Sequence, residues 1–212
     1  MEKIINNYKS LLSNLENLKS LSIDNLDLNK TGLFIVDMNN GFAKEGALSS
    51  PRVEEIIEPI ADFGKVISSK INTIVAFTDT HDEDAVEFKS YPTHCLRGDM
   101  ESEVVKEILA IDNLEIIEKN STNGFFAIDI EKYKDLDNFI VVGCCTDICV
   151  YQFVLTLKTY FNQNNLDKNI IVPMNLVETY DIDMVHSGDF LNTIFLNSMM
   201  QNGINVVKEI KL

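Results

Sequence analysis

Six short apolar runs, each separated from the next by a helical pattern or an irregular polar stretch, constrain this chain more than any other feature. They fall at 33–38, 73–77, 114–119, 139–143, 170–172 and 204–207. Between them, Val53, Ile56, Ile57, Ile60, Phe63 and Ile67 mark one apolar stripe of a helix that Pro51 opens and that runs to about residue 70. Further helices are expected at 101–110, from Cys149 to about residue 162, and at 187–201. Strands alternating with helices of this length predict an α/β fold: a three-layer, Rossmann-like, mostly parallel six-stranded sheet with helices on both faces and right-handed crossovers. Such a sheet carries its site at the carboxyl ends of its strands.

With 212 residues, 45% of them apolar, the chain can bury the core of one domain spanning 1–212. Ile4, Ile5, Tyr8, Leu11, Leu12, Leu15 and Leu18 give residues 3–20 the spacing of an amphipathic helix, expected as a packing extension within about residues 1–30. A net charge of −15 without a basic cluster argues against nucleic acid and against an anionic membrane surface, and favours a small neutral or zwitterionic partner. The amino terminus lacks the order of a secretory leader, and no apolar run reaches the ~18 residues of a membrane span, so a cytoplasmic chain is expected. A homo-oligomer is left open. Cys95, Cys144, Cys145 and Cys149 should then stay reduced, and their spacing suits neither a disulfide framework nor a Cys-x-x-Cys device. Dinucleotide and P-loop glycine patterns are absent.

The stretch from Phe139 to Phe153 runs from a strand through Gly143 and two adjacent cysteines to Thr146-Asp147, residue types that cap helices. Cys149 then lies in the first helical turn, where unpaired N–H groups and the helix dipole favour a thiolate. Asp37, Asp79 and Lys119 stand at the ends of three other expected strands. Asp37, Lys119 and Cys149 together supply a base, a cation and a nucleophile, the parts needed to attack an unreactive carbonyl. Taken singly, they are also the polar residues that strand ends commonly carry, and Cys149 is also an ordinary buried cysteine.

A second group lies in the irregular polar stretch 82–99 and just before it. Asp79-Thr-His81 and His94, with Glu87 between them, combine imidazole with carboxylate, which suits Zn²⁺, Fe²⁺ or Mn²⁺ better than Ca²⁺ or Mg²⁺. Three protein ligands would leave positions open for water or substrate. The other reading is of histidines on a surface loop. His186, the third histidine, receives no function from the sequence.

From about Gly32 to Val207 the sequence resembles the isochorismatase-like cysteine hydrolases, and within them the nicotinamidases. The resemblance rests on Val36-Asp-Met-Asn-Asn-Gly-Phe42, on Glu118-Lys119 with Asn123-Gly-Phe125, and on Gly143-Cys-Cys-Thr-Asp-Ile-Cys-Val150, in that order. It implies Cys149 as nucleophile, Asp37 and Lys119 as its catalytic partners, and a cis peptide between Cys144 and Cys145. That bond would aim the backbone N–H of Cys145, with that of Cys149, at an oxyanion. Asp79-Thr-His81 with Pro92-Thr-His94 resembles the metal motif of the nicotinamidase branch, Glu87 stands where some members place a further ligand, and Phe42 is expected to pack on a substrate ring. The resemblance therefore implies a divalent metal, Zn²⁺ first, and hydrolysis of nicotinamide through a thioester. Other small amides, carbamoyl compounds and a non-catalytic binding role remain alternatives. Asn39, Gly41 and Thr80 depart from the family pattern and are expected in the pocket wall.

Overall fold

The computed structural model describes all 212 residues. Its main elements are α1 (Glu2–Glu16), β1 (Thr31–Val36), α2 (Ile57–Ser68), β2 (Thr73–Asp79), β3 (Leu114–Lys119), β4 (Asn138–Cys144), α3 (Cys149–Gln163), β5 (Asn169–Pro173), α4 (Gly188–Gln201) and β6 (Asn205–Val207). The six strands lie in the order β3-β2-β1-β4-β5-β6, and every pairing is parallel. The sheet is therefore the expected one with an addition: Val177–Glu178 pairs beside Gly143–Cys144 as a seventh, two-residue strand. Leu21–Ser22 pairs separately with Ile210–Lys211. Runs of two residues carry no readable alternation, which is why the sequence does not announce them.

Side chains on the central strands alternate between two cores. Leu33, Ile35, Ile74, Ala76, Ile140 and Val142 pack on the side of α2, where Ile57, Ile60 and Ile67 are buried. Phe34, Val36, Val75, Phe77, Phe139 and Val141 pack on the other side, with Phe153, Leu157 and Phe161 of α3 and Leu196 and Met199 of α4. Strands buried on both faces read as continuous apolar runs, and the helices complete three layers. On the outer face Tyr8 of α1 stacks on Phe190 of α4, with ring centroids 5.2 Å apart, and Asn14 donates to Asn197. No helix is long and apolar enough to cross a membrane.

The helix expected over 51–70 is divided into Pro51–Glu55 and α2, with Ile56 at φ −91° and ψ −2° between them. Pro59 explains the division. It has no N–H for the Glu55 carbonyl, so it is accommodated in the first turn of a new helix, where that donor has no partner to lose.

Register brings the chemistry together. Asp79 of β2 is level with Lys119 of β3, and Val36 of β1 is level with both Phe77 of β2 and Gly143 of β4. Lys119, Asp79, Asp37 and Cys144 thus stand side by side at the carboxyl ends of four neighbouring strands. The strand order reverses direction between β1 and β4, which places the crevice above Asp37 and the Cys144–Cys149 segment. Gly143 permits that approach: its φ is +112°, and a Cβ there would lie 2.1 Å from the Val36 carbonyl oxygen.

Candidate active site

Asp37, Phe42, Asp79, Glu87, His94, Cys145 and Cys149 line one cavity at this edge. Lys119 is buried beneath them, with its ammonium 2.9 Å from Asp37 Oδ2 and 2.7 Å from Asp79 Oδ1. It donates directed hydrogen bonds to Asp79 and to the Ser121 carbonyl, at 2.9 Å. The contact with Asp37 is an ion pair whose angle falls outside hydrogen-bond geometry, so neither Asp37 oxygen receives a well-aligned donor. Lys119 thereby joins two clusters that the sequence presents as separate.

Burial pushes the Asp37 carboxyl up to about 7, with the Asp79 charge adding to the rise and Lys119 and the Cys149 thiol opposing it. Asp79 behaves in the opposite way. Burial opposes its ionisation too, but the charge and the hydrogen bond of Lys119 hold it well below the usual carboxylate range. Burial and the Asp37 charge push the Cys149 thiol well above its ordinary value, and Lys119 offsets this in part. Burial of Cys149 thus works against the thiolate that the first turn of a helix favours. Asp37 is the carboxylate beside it. Lys119 is held well above its ordinary value by Asp37, Cys149 and Asp79 against the effect of burial, and stays an ammonium.

The Asp79, His81, Glu87 and His94 ligand atoms all lie within 4.8 Å of one another. His94 Nδ1 is 2.7 Å from the Pro92 carbonyl oxygen, which can only accept, so that nitrogen carries the hydrogen and Nε2 presents its lone pair. Asn120 Oδ1, 2.8 Å from His81 Nδ1, fixes the other ring in the same sense. Both Nε2 atoms then face Asp79 Oδ2, at 3.1 and 3.2 Å, and His81 Nε2 is buried without a hydrogen-bond partner. Nitrogen and carboxylate lone pairs converging in this way, with outer hydrogen bonds already in place, fit a divalent cation. Burial removes the surface-loop reading: His81 and His94 are 0% and 3% exposed.

The peptide between Cys144 and Cys145 is cis. The Cys145 carbonyl accepts from Ile148 and Val150, at 3.0 and 3.1 Å, which fixes the turn into α3. Cys144 turns its sulfur to the Asp37 carbonyl, at 3.1 Å, and all four cysteines are free. The amide of Cys149, the first residue of α3, has no intrahelical acceptor.

The family match decides what these parts belong to. The isochorismatase domain matches residues 31–206. The chain belongs to the isochorismatase family. Its fold and its relatives indicate a hydrolase. A nicotinamidase of Arabidopsis thaliana is 28% identical, over 84% of this chain and 86% of its own. Among solved structures, the yeast nicotinamidase superposes with a TM-score of 0.70 at 19% identity, covering 84% of this chain and 99% of its own. The N-carbamoylsarcosine amidase of Thermoplasma acidophilum gives 0.68 at 23%, covering 84% and 96%. Two differently named amidases share the isochorismatase fold equally, so substrate must be argued from the cavity.

Three expectations about the wall are corrected. Asn39, Gly41 and Thr80 do not line the cavity but are buried behind it. Asn39 Nδ2 donates to Thr78 Oγ1 at 2.8 Å and to the Asp79 carbonyl at 3.1 Å, which pins the end of β2. Gly41 faces Cys95, whose sulfur a Cβ would meet at 2.7 Å. The wall also includes Leu48, Tyr91, Thr122, Ile148 and Tyr180, which the sequence reading missed. Tyr91 adjoins the Pro92-Thr-His94 motif and was open to notice. Tyr180 depends on the two-residue strand and was not.

Proposed function

We propose that this isochorismatase-family hydrolase is an amidohydrolase that converts nicotinamide to nicotinate and ammonia, with Cys149 as nucleophile and Asp37 and Lys119 as its partners. One observation carries the reading. A thiol beside a carboxylate of raised proton affinity shares a small aromatic-lined cavity with a second cluster of nitrogen and oxygen ligands, so an amide group and a ring nitrogen of one small molecule can be engaged together. A divalent metal bound by Asp79, His81 and His94, with Glu87 beside them, would supply a Lewis-acidic anchor for that ring nitrogen, and the donor set suits Zn²⁺ with Fe²⁺ or Mn²⁺ as alternatives.

Phe42 packs against His94, with ring centroids 5.6 Å apart, and offers a face to a flat ring. Asp37 takes the Cys149 proton as sulfur attacks the carboxamide carbon, and Lys119 steadies the charges on both. The amides of Cys145 and Cys149 receive the oxyanion. Asp37 returns the proton to the departing nitrogen as the C–N bond breaks, giving ammonia and a thioester. Asp37 then takes a proton from water as its oxygen attacks the thioester. The C–S bond breaks, nicotinate leaves, and the proton returns to sulfur.

The test is ammonia release from nicotinamide by the purified protein and by Cys149→Ala. Activity in the wild type and its loss in the variant support the reading, whereas an active alanine variant removes the nucleophile. N-carbamoylsarcosine and pyrazinamide belong in the same panel. Preference for a carbamoyl compound without a ring nitrogen would move the assignment to the amidase whose fold the chain shares.

A further inference from the structure

The segment following Val177–Glu178 contributes Tyr180 to the cavity wall, yet nothing in the proposed chemistry explains how it is held there. Its attachment converges on one carboxylate two residues before Cys149. Asp147 Oδ1 accepts from Thr179 Oγ1 at 2.6 Å, and its Oδ2 lies 2.8 Å from His186 Nε2. His186 Nδ1 lies 2.9 Å from the Tyr180 carbonyl oxygen. A carbonyl only accepts, so Nδ1 donates to Tyr180, and Nε2 is turned to the Asp147 carboxylate. The same imidazole stacks on the Tyr180 ring, with centroids 3.6 Å apart and planes inclined by 17°. Between Tyr180 and His186 the chain closes a small hairpin, with Ile182 and His186 exchanging two backbone hydrogen bonds of 2.8 Å. Its tip is bare, since Met184 and Val185 are 96% and 81% exposed. The inner side of the hairpin is where it is anchored.

We propose that His186 is a positioning residue which, through Asp147, fixes Tyr180 as a rigid wall of the cavity, and that Tyr180 sets the upper size of the amide admitted to Cys149. A side chain that bridges two partners from opposite ends of a flat ring, and stacks while doing so, holds both the backbone and the ring of Tyr180. Glutamine or asparagine can replace one of those contacts and neither replaces the stack. The inference rests on Cys149 being the reactive thiol of the proposed function, and it adds a specificity determinant that the nucleophile and ligand motifs do not contain.

The test uses two alkylating reagents that differ by one phenyl group, iodoacetamide and iodoacetanilide, with labelling of Cys149 followed by site-resolved mass spectrometry. In the wild type the anilide should react more slowly. Tyr180→Ala and His186→Phe should each raise the anilide-to-amide rate ratio by about tenfold or more, since pockets discriminate single groups by that order. His186→Gln, which keeps a donor for Asp147, should raise it less. With nicotinamide as substrate, the loss in His186→Phe should fall mainly on KM. An unchanged ratio in Tyr180→Ala, or a ratio raised in Tyr180→Ala but not in His186→Phe, overturns the proposal. If His186→Phe does not fold, Asp147→Asn and His186→Gln read the same ratio. A wild type inert toward nicotinamide would count against the proposed substrate alone, because the alkylation ratio reads the wall without any amide turnover.

Discussion

Two aspartates on neighbouring strand ends share one lysine and differ in everything that follows. Asp37 receives no well-aligned hydrogen bond, and burial carries its carboxyl to about 7. Asp79 accepts from Lys119 at 2.7 Å and faces two imidazole rings, and is held well below the usual range although it is equally buried. Asp37 sits beside the Asp79 charge, which adds to its rise, whereas Asp79 has both the Lys119 charge and an aligned bond from it; that difference separates an acid that can carry a proton from one that can hold a cation. Asp37 belongs to the thiol half of the cavity, Asp79 to the histidine half, and Lys119 is the element common to both.

The sharpest way to break this contrast is Asp37→Asn. An amide in the same place cannot take the thiol proton, so kcat for amide hydrolysis should fall by about 10²–10⁴, and alkylation of Cys149 should slow with it. Metal content, read by elemental analysis, should fall far less. If the variant keeps more than about a tenth of the wild-type rate, general-base catalysis of the size expected from a side chain is absent and the thiol has another base.

Lys119→Met addresses the shared element. It leaves two buried carboxylates without their cation, and removing one partner of a buried ion pair costs about 3–5 kcal/mol. Urea denaturation of the wild type and the variant at neutral pH measures it. A loss below about 1 kcal/mol, the scale of an exposed pair, would mean that the two halves are not held by the lysine at all.

How much of this was legible depended on whether local pattern or long-range register carried it. Apolar runs buried on both faces announced β1, β2 and β4, the half-exposed edge strand β3 showed its apolar residues between glutamates, and strand-end polar residues announced Asp37, Asp79 and Lys119 as neighbours at one edge. Sequence could not reveal that Lys119 gives its aligned bond to Asp79 rather than to Asp37, because that follows from the level pairing of Asp79 with Lys119 across β2 and β3. Nor could it weigh desolvation against the helix terminus at Cys149, since burial is a property of the assembled core. Pro59 was visible but its consequence for the helix at Ile56 was not drawn. The Tyr180 wall hangs on a strand of two residues, too short for any periodicity to mark.

The histidine half has its own test in Asn120→Ala. Asn120 touches no expected metal ligand atom, but it fixes His81 Nδ1 and so aims Nε2 at Asp79. Removing such an outer hydrogen bond weakens metal affinity by about 10–100-fold, measurable by competition with a chelator of known affinity. Alkylation of Cys149 should slow much less than in Asp37→Asn. Equal slowing in the two variants would show that the halves are not chemically separate.

The smallest effect, and the most direct reading of the contrast, is the pH dependence of Cys149 alkylation. Asp37 rises from an ordinary 3.8 to about 7, so below that value it carries a proton and cannot accept the one on Cys149. The rate should therefore fall on the acid side, approaching about tenfold per pH unit once Asp37 is mostly protonated. Asp79, held well below the usual range, stays ionised through the same window and contributes no such limb. Asp37→Asn should flatten the profile as well as lower it, because the group that titrates is gone. A wild-type rate that does not change between about pH 5 and 8, where a base poised near neutrality must titrate, would take the proton-carrier role away from Asp37 and leave the two aspartates alike.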